Sequence, residues 1–336
     1  MRRKTLIQAI TGFVVWFVSY SLLNIGQIER LLLFAILVIV PLVLTIVETK
    51  DRQGRRFKSY VLAISLYPVG ALMAFASFFF PPGIVAGILS LGWLLWTVVV
   101  FVYGLSRLMV RGLSYLEETS IDVGLMYLLL GGGWFSLSQF GIDVMNFGAL
   151  IILLTAIHFH YSAFITPIFL GLLGRVLRTN GQSQKMYQFA AIGVMVSPIG
   201  VAIGITYSRF IEFVFVVIFV ACLWVYTYLV LVHLRKITNK AAFLLISGSA
   251  IILIFTMFLA FLYGLGRLLR VDFILIPDMV TLHGIGNAFG FVFVGVLGWL
   301  LLFPKAYADV YGIPFSKIVG KWKIGAHFLQ KSVGCK

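Results

Sequence analysis

A chain of 336 residues that is 61 % hydrophobic and only 11 % charged, with a mean hydropathy of +1.07, is not a soluble domain, which would carry about a quarter charged residues. Its apolar residues come in runs of 18 to 25 rather than short alternating strands, which excludes an outer-membrane barrel and predicts an all-α, polytopic transmembrane helix bundle. The formal charge of +15 would suit nucleic acid, but the basic residues lie between the apolar runs, where they set topology and meet anionic lipid headgroups; no nucleic-acid partner is expected.

In chain order, ten spans are predicted at 6–23, 30–47, 60–80, 84–103, 121–141, 146–170, 187–206, 210–233, 242–264 and 279–302. The first follows Met-Arg-Arg-Lys and has no small-residue cleavage site behind it, so it reads as a retained helix. Odd-numbered gaps are short turns, such as Phe80-Pro-Pro-Gly83, and even-numbered gaps are longer and basic. Of 26 lysines and arginines, only Arg30, Arg209, Arg267 and Arg270 fall on the side of the odd gaps, which places both termini in the cytoplasm. The transmembrane domain is therefore 1–302. The basic cytoplasmic tail, 303–336, alternates Lys317, Lys321 and Lys323 with Phe315, Ile318, Trp322 and Phe328, as an interfacial amphipathic helix would, although a disordered basic tail has the same composition. Cys222 in a span and Cys335 in the tail build no disulfide framework.

The fourth span ends in Tyr103-Gly-Leu-Ser-Arg107 and the ninth in Tyr263-Gly-Leu-Gly-Arg267, each followed by an aspartate, Asp122 or Asp278. Five spans apart and on opposite faces, the two ends fit a five-plus-five inverted repeat, or simply an interfacial tyrosine with a snorkelling arginine.

Polar residues gather in the sixth span, at Thr155-Ala-Ile-His158-Phe-His160-Tyr161-Ser162-Ala-Phe-Ile-Thr166-Pro167. Twelve residues on either side, roughly 18 Å each way, put His158 near the midplane, where ionisable groups are usually functional. Thr155, His158, Ser162 and Thr166 share one helix face, and His160 points about 200° away from His158. The preceding span carries Gly131-Gly-Gly-Trp134, whose glycines let a helix or a ligand come close, so the two spans should meet near Gly131 and His158. In the tenth span His283 and Asn287, four residues apart, share a face with Gly286 and Gly290, either as helix-packing glue or as a cavity wall. At the outer level Arg209, Glu212, Arg267, Arg270 and Asp278 form an anion-attracting patch or an interfacial ion-pair network.

Chemistry is bounded by what is missing. There is no His-x-x-x-His or Glu-x-x-His pair for a di-iron centre, no Gly-x-Ser-x-Gly, and no phosphate-binding Gly-x-x-x-x-Gly-Lys-Ser/Thr. No cofactor is required; a single divalent metal held by His158, His283 and a carboxylate is the one metal site the residues allow. What remains is a histidine pocket for proton-coupled movement of a small or amphiphilic solute, for acid–base or metal chemistry on a lipid-like substrate, or a purely structural set of contacts.

His158-Phe-His160-Tyr161-Ser-Ala-Phe with Pro167 and Gly171-Leu-Leu-Gly174-Arg175, and Leu282-His283-Gly284-x-x-Asn287-Ala288-x-Gly290-Phe291 ending in Gly298-Trp299, resemble the YndJ-like family of bacterial membrane proteins. Ser162-Ala163-Phe164 departs mildly from that pattern, which often has glycine there. The resemblance implies a multi-pass plasma-membrane protein with a shared pocket of His158, His160, Tyr161, His283 and Asn287; it implies no reaction.

Overall fold

A computed structural model describes residues 1–51, 53–179 and 185–306. Ten of its helices are long and apolar enough to cross a membrane: α1 (Arg2–Leu22), α2 (Gln27–Ile46), α3 (Lys58–Ser77), α4 (Ile84–Arg111), α5 (Leu116–Phe140), α6 (Ala149–Thr179), α7 (Lys185–Tyr207), α8 (Arg209–Lys236), α9 (Lys240–Leu269) and α10 (Ile276–Leu302). The described residues contain no strand, only the isolated bridge Lys50–Arg56 in the turn after α2. The tail expected to lie on the membrane falls largely outside the described residues.

Three helices overrun their predicted ends at the basic side. α4 continues to Arg111, α5 begins at Leu116, and α6 runs on to Thr179. Hydropathy penalises each charge singly, so it ends a span at the first arginine; here the charges pair with one another and the helices continue. α4 stops where Gly112 takes φ +77°, and α5 where Gly141 takes φ +70° and donates its N–H back to the Leu137 and Ser138 carbonyls.

The organising helix is α2. Apolar on every side, it is 83 % buried, against 28 % for α1, as expected of a helix at the centre of a bundle. Its polar side-chain contacts are confined to its ends, where Arg30 reaches the Leu23 and Ile25 carbonyls and Thr45 pairs with Thr5 of α1, so along its apolar middle neighbours bind its backbone instead. Residues 35–39 form a π-helical segment, and Pro41 has no N–H for the carbonyl of Leu37 four residues back. Tyr67 of α3 fills that gap, donating to the Ile36 and Leu37 carbonyls at 3.0 and 3.1 Å. Tyr161 donates to Leu31 O at 2.8 Å, Tyr60 to Leu44 O at 3.0 Å and Tyr103 to Val47 O at 2.9 Å, and Gly12 of α1 packs directly on the Leu37 carbonyl. The same rule operates at other prolines. Pro68 orphans the Ile64 carbonyl, which accepts from Gln8 at 3.0 Å, and in α7 the Met195 carbonyl, three residues before Pro198, accepts from Tyr127.

Candidate functional site

The densest polar chemistry lies at the basic end. Arg107 and Arg111 are one helical turn apart on α4, and Glu118 and Asp122 one turn apart on α5; the short 112–115 turn brings the pairs face to face. Arg107 Nη2 donates to Glu118 Oε2 at 2.8 Å and Nη1 to Val47 O at 2.8 Å. Its Nε stands 2.6 Å from Asp122 Oδ1, off the line of a hydrogen bond, so that contact is one of charge. Arg111 pairs with Asp122. From α6, Arg175 forks onto Glu118 with Nε and Nη2 at 2.6 and 2.8 Å and donates through Nη1 to Pro304 O at 3.1 Å, tying the end of α10 into the cluster. All five side chains are at most 2 % exposed. Glu117 and Arg178 add a rim pair at 2.5 Å. These residues read as loop in a hydropathy profile; the signal that identifies them is two oppositely charged i, i+4 pairs flanking a four-residue turn.

The histidines divide into two kinds. His160 is buried and complete: its Nδ1–H donates to Ala156 O at 2.8 Å, and its Nε2 accepts from Trp93 Nε1 of α4 at 2.9 Å. A Cβ on Gly131 would sit 2.8 Å from His160 Nδ1, so Gly131 meets His160 and Phe159, not His158 as the spacing suggested, while Gly132 packs on Thr97 of α4. Thus His160 holds α4, α5 and α6 together and takes no part in an open pocket.

His158 and His283 come together. Their ring centroids are 6.5 Å apart, tilted by 32°. His158 is exposed at the molecular surface and His283 half-buried. His158 Nδ1 lies 2.5 Å from Leu154 O, and His283 Nδ1 lies 2.8 Å from Thr256 O of α9. A carbonyl only accepts, so each Nδ1 carries the proton and each Nε2 lone pair is left as the reactive atom. Both histidines flank the first half of α2: Gly284 packs near Leu31, whose carbonyl holds Tyr161. The two rings thus stand side by side on α6 and α10, next to the first half of α2. Since α6 runs from Ala149 to Thr179, His158 lies nearer the end opposite the basic cluster than the midpoint inferred from 146–170.

The remaining predicted residues lie on or beside the helices that carry the two histidines. A π-helical segment spans Phe159–Ala163 directly after His158, and two more, Met279–Gly284 and Gly286–Phe293, span His283 and Asn287. The first rotates α6, so that Thr155 and Ser162 stay half-buried while Thr166 turns into the core. The hydroxyls of Thr155 and Thr166 bond back to their own helix, at Ile151 O and Ser162 O, both at 2.7 Å. Asn287 accepts from the Thr256 hydroxyl at 2.8 Å, so Thr256 anchors both His283 and Asn287 of α10. Trp134 stacks on Phe147 at 6.3 Å, in the turn before α6. As for a metal, two imidazoles face each other, but among the described residues no group of three or more His, Cys, Asp or Glu comes together; the carboxylate that a three-ligand site needs is not beside them.

At the end opposite the basic cluster, Glu212 of α8, 5 % exposed, binds Arg267 of α9 at 3.0 Å. Arg267, Arg209 and Arg270 line a cavity of about 790 Å³ with Tyr263, Asp272 and Phe273. Asp278 stands apart, exposed at the start of α10. Arg107 pairs forward to α5 and Arg267 pairs back to α8, so the two Tyr-Gly-Leu-x-Arg helix ends do not make equivalent contacts.

This geometry can be set beside known proteins. The profile of the YndJ-like protein family matches residues 30–291, which takes in both adjacent histidines and the buried ion cluster. The chain belongs to the YndJ-like family. It is 34 % identical over 330 residues to the uncharacterized membrane protein YndJ of Bacillus subtilis (strain 168), an alignment covering 98 % of this chain and 58 % of that relative. The chain thus spans somewhat more than half the length of the relative it matches. No solved structure matches it significantly. It is an integral, multi-pass membrane protein of the YndJ type.

Proposed function

We propose that this YndJ-like protein binds and moves a small or amphiphilic solute through the cleft between α6 and α10, with His158 and His283 as its proton-exchanging or hydrogen-bonding groups. The observation that carries the reading is the pair of unprotonated Nε2 atoms on facing rings, each fixed by its Nδ1–H, on helices whose regular winding breaks at the histidines. Helices interrupted at a polar site are a recurrent feature of secondary transporters, and π-helical turns recur at functional sites. His160, bonded at both ring nitrogens, supports the wall. Arg267 and Arg270 collect anions at the opposite face.

The test is proton movement. Proteoliposomes loaded with a pH dye and challenged with small anions, amines and amino acids should show solute-dependent proton flux. That flux should fall in His158→Ala and His283→Ala and persist in chelator-treated buffer. Equal flux in wild type and both variants would overturn the reading.

A second reading is favoured by the same Nδ1 anchoring, since imidazoles that bind metals commonly donate their other N–H to a carbonyl. In it the cleft is an intramembrane enzyme site for a lipid-like substrate, with the metal shell completed from Asn287, water or substrate. Metal retained by the purified protein and lost in His158→Ala and His283→Ala supports this second reading; metal-independent flux supports the first.

A further inference from the structure

The buried cluster at the basic end is not charge-neutral. Three guanidiniums, Arg107, Arg111 and Arg175, face two carboxylates, Glu118 and Asp122, and all five are shielded from solvent. Arg175 has five N–H donors and spends three of them, two on Glu118 and one on Pro304 O. It also lines a cavity of about 780 Å³ between the start of α1, the turn after α2 and the chain leaving α10. That size suits a small ligand.

The cavity wall is strongly basic. Arg2, Arg3, Lys50, Arg56 and Lys305 surround it, against Glu48 and Asp51. Both acids are already committed: Glu48 to Arg56 at 2.6 Å, and Asp51 to Arg55 at 3.1 Å with the backbone N–H groups of Gln53 and Arg55. Those bonds, the Arg55 backbone N–H foremost, hold Asp51 below the usual carboxylate range. Arg3, Lys50 and Lys305 have no ion-pair partner among the described residues, and Arg2 lies over the Phe303 ring at 3.6 Å. The site stands where the spans end, at the level of lipid headgroups.

We propose that this cavity is a binding site for a phosphate group, with Arg175 at its floor and Arg3, Lys50 and Lys305 at its rim. A phosphate brings several acceptor oxygens and enough charge to offset the buried surplus and the unpaired rim. A phospholipid headgroup and a soluble phosphate share this chemistry. The proposal is independent of the histidine cleft.

The experiment follows thermal unfolding of the full chain in two arms. One titrates phosphatidylglycerol into phosphatidylcholine nanodiscs. The other titrates inorganic phosphate into detergent-solubilised protein, against chloride at equal ionic strength. The rim variant Arg3→Gln/Lys50→Gln/Lys305→Gln leaves the buried cluster intact. Its control, Arg235→Gln/Lys236→Gln/Lys240→Gln, removes the same charge at the same end but away from the cavity. Wild type should show a saturable rise in unfolding temperature. The rim variant should need on the order of tenfold more anion and the control about the same as wild type. A response to lipid only assigns a headgroup, to inorganic phosphate only a soluble anion, and to both the phosphate group itself. No saturable response in either arm, or equal weakening in rim variant and control, would overturn the proposal.

Discussion

Two histidines separated by one residue serve different ends, and the difference lies in what each nitrogen touches. His160 gives and receives a hydrogen bond inside the core, while His158 keeps one lone pair free at the surface. His160→Ala empties buried volume and strands the Trp93 N–H, so it should cost roughly 2–4 kcal/mol and lower the unfolding temperature in detergent. His158→Ala should change stability by less than about 1 kcal/mol. Equal losses would remove the distinction. Gly131→Ala forces a methyl against the same imidazole and should cost about 1–3 kcal/mol in that assay. Residue type was legible in the sequence; the partner was not, because Trp93 lies 67 positions away and nothing local marks it.

Among elements, α2 has the least chemistry in its side chains and the most in its backbone. Tyrosines from three other helices donate to carbonyls along it and at its end: Tyr67 to those of Ile36 and Leu37 in the π-helical segment before Pro41, Tyr161 to Leu31 and Tyr103 to Val47. Tyr67→Phe deletes one donor and leaves two carbonyls of α2 without it. A loss of about 1 kcal/mol follows, since hydrogen bonds between membrane helices are worth about that much; chemical denaturation in mixed micelles measures it, and an unchanged midpoint would mean the π-helical segment satisfies itself. The number and order of spans could be read from apolar run length, because the hydrocarbon thickness fixes it. The basic-side helix ends could not, because a hydropathy sum treats Arg107, Glu118 and Arg175 as separate penalties where the fold joins them in one ion-paired cluster. The π-helical segments were equally hidden, and they decide which residues of α6 face the cleft.

Across the molecule, polar chemistry separates into a buried ion cluster that locks α4, α5, α6 and the end of α10 together and a pair of adjacent histidines on α6 and α10. Glu118→Gln leaves Arg175 and Arg107 buried without their shared acid and should cost about 3–5 kcal/mol, read as reduced yield of folded protein and a lower unfolding temperature. The charge bias, which favours both termini in the cytoplasm, predicts that, with Cys222 and Cys335 replaced by serine, a cysteine at Asp272 reacts with an impermeant maleimide on intact cells while one at Gly54 reacts only after lysis. The central claim is that His158 and His283 present free Nε2 atoms in one opening while His160 is sealed. Histidine acylation by diethyl pyrocarbonate in proteoliposomes, mapped by mass spectrometry, reads this directly. Rapid modification of His158 and His283 with protection of His160 is the predicted result; His160 reacting as fast as the other two, or protection of both cleft histidines, would contradict the account.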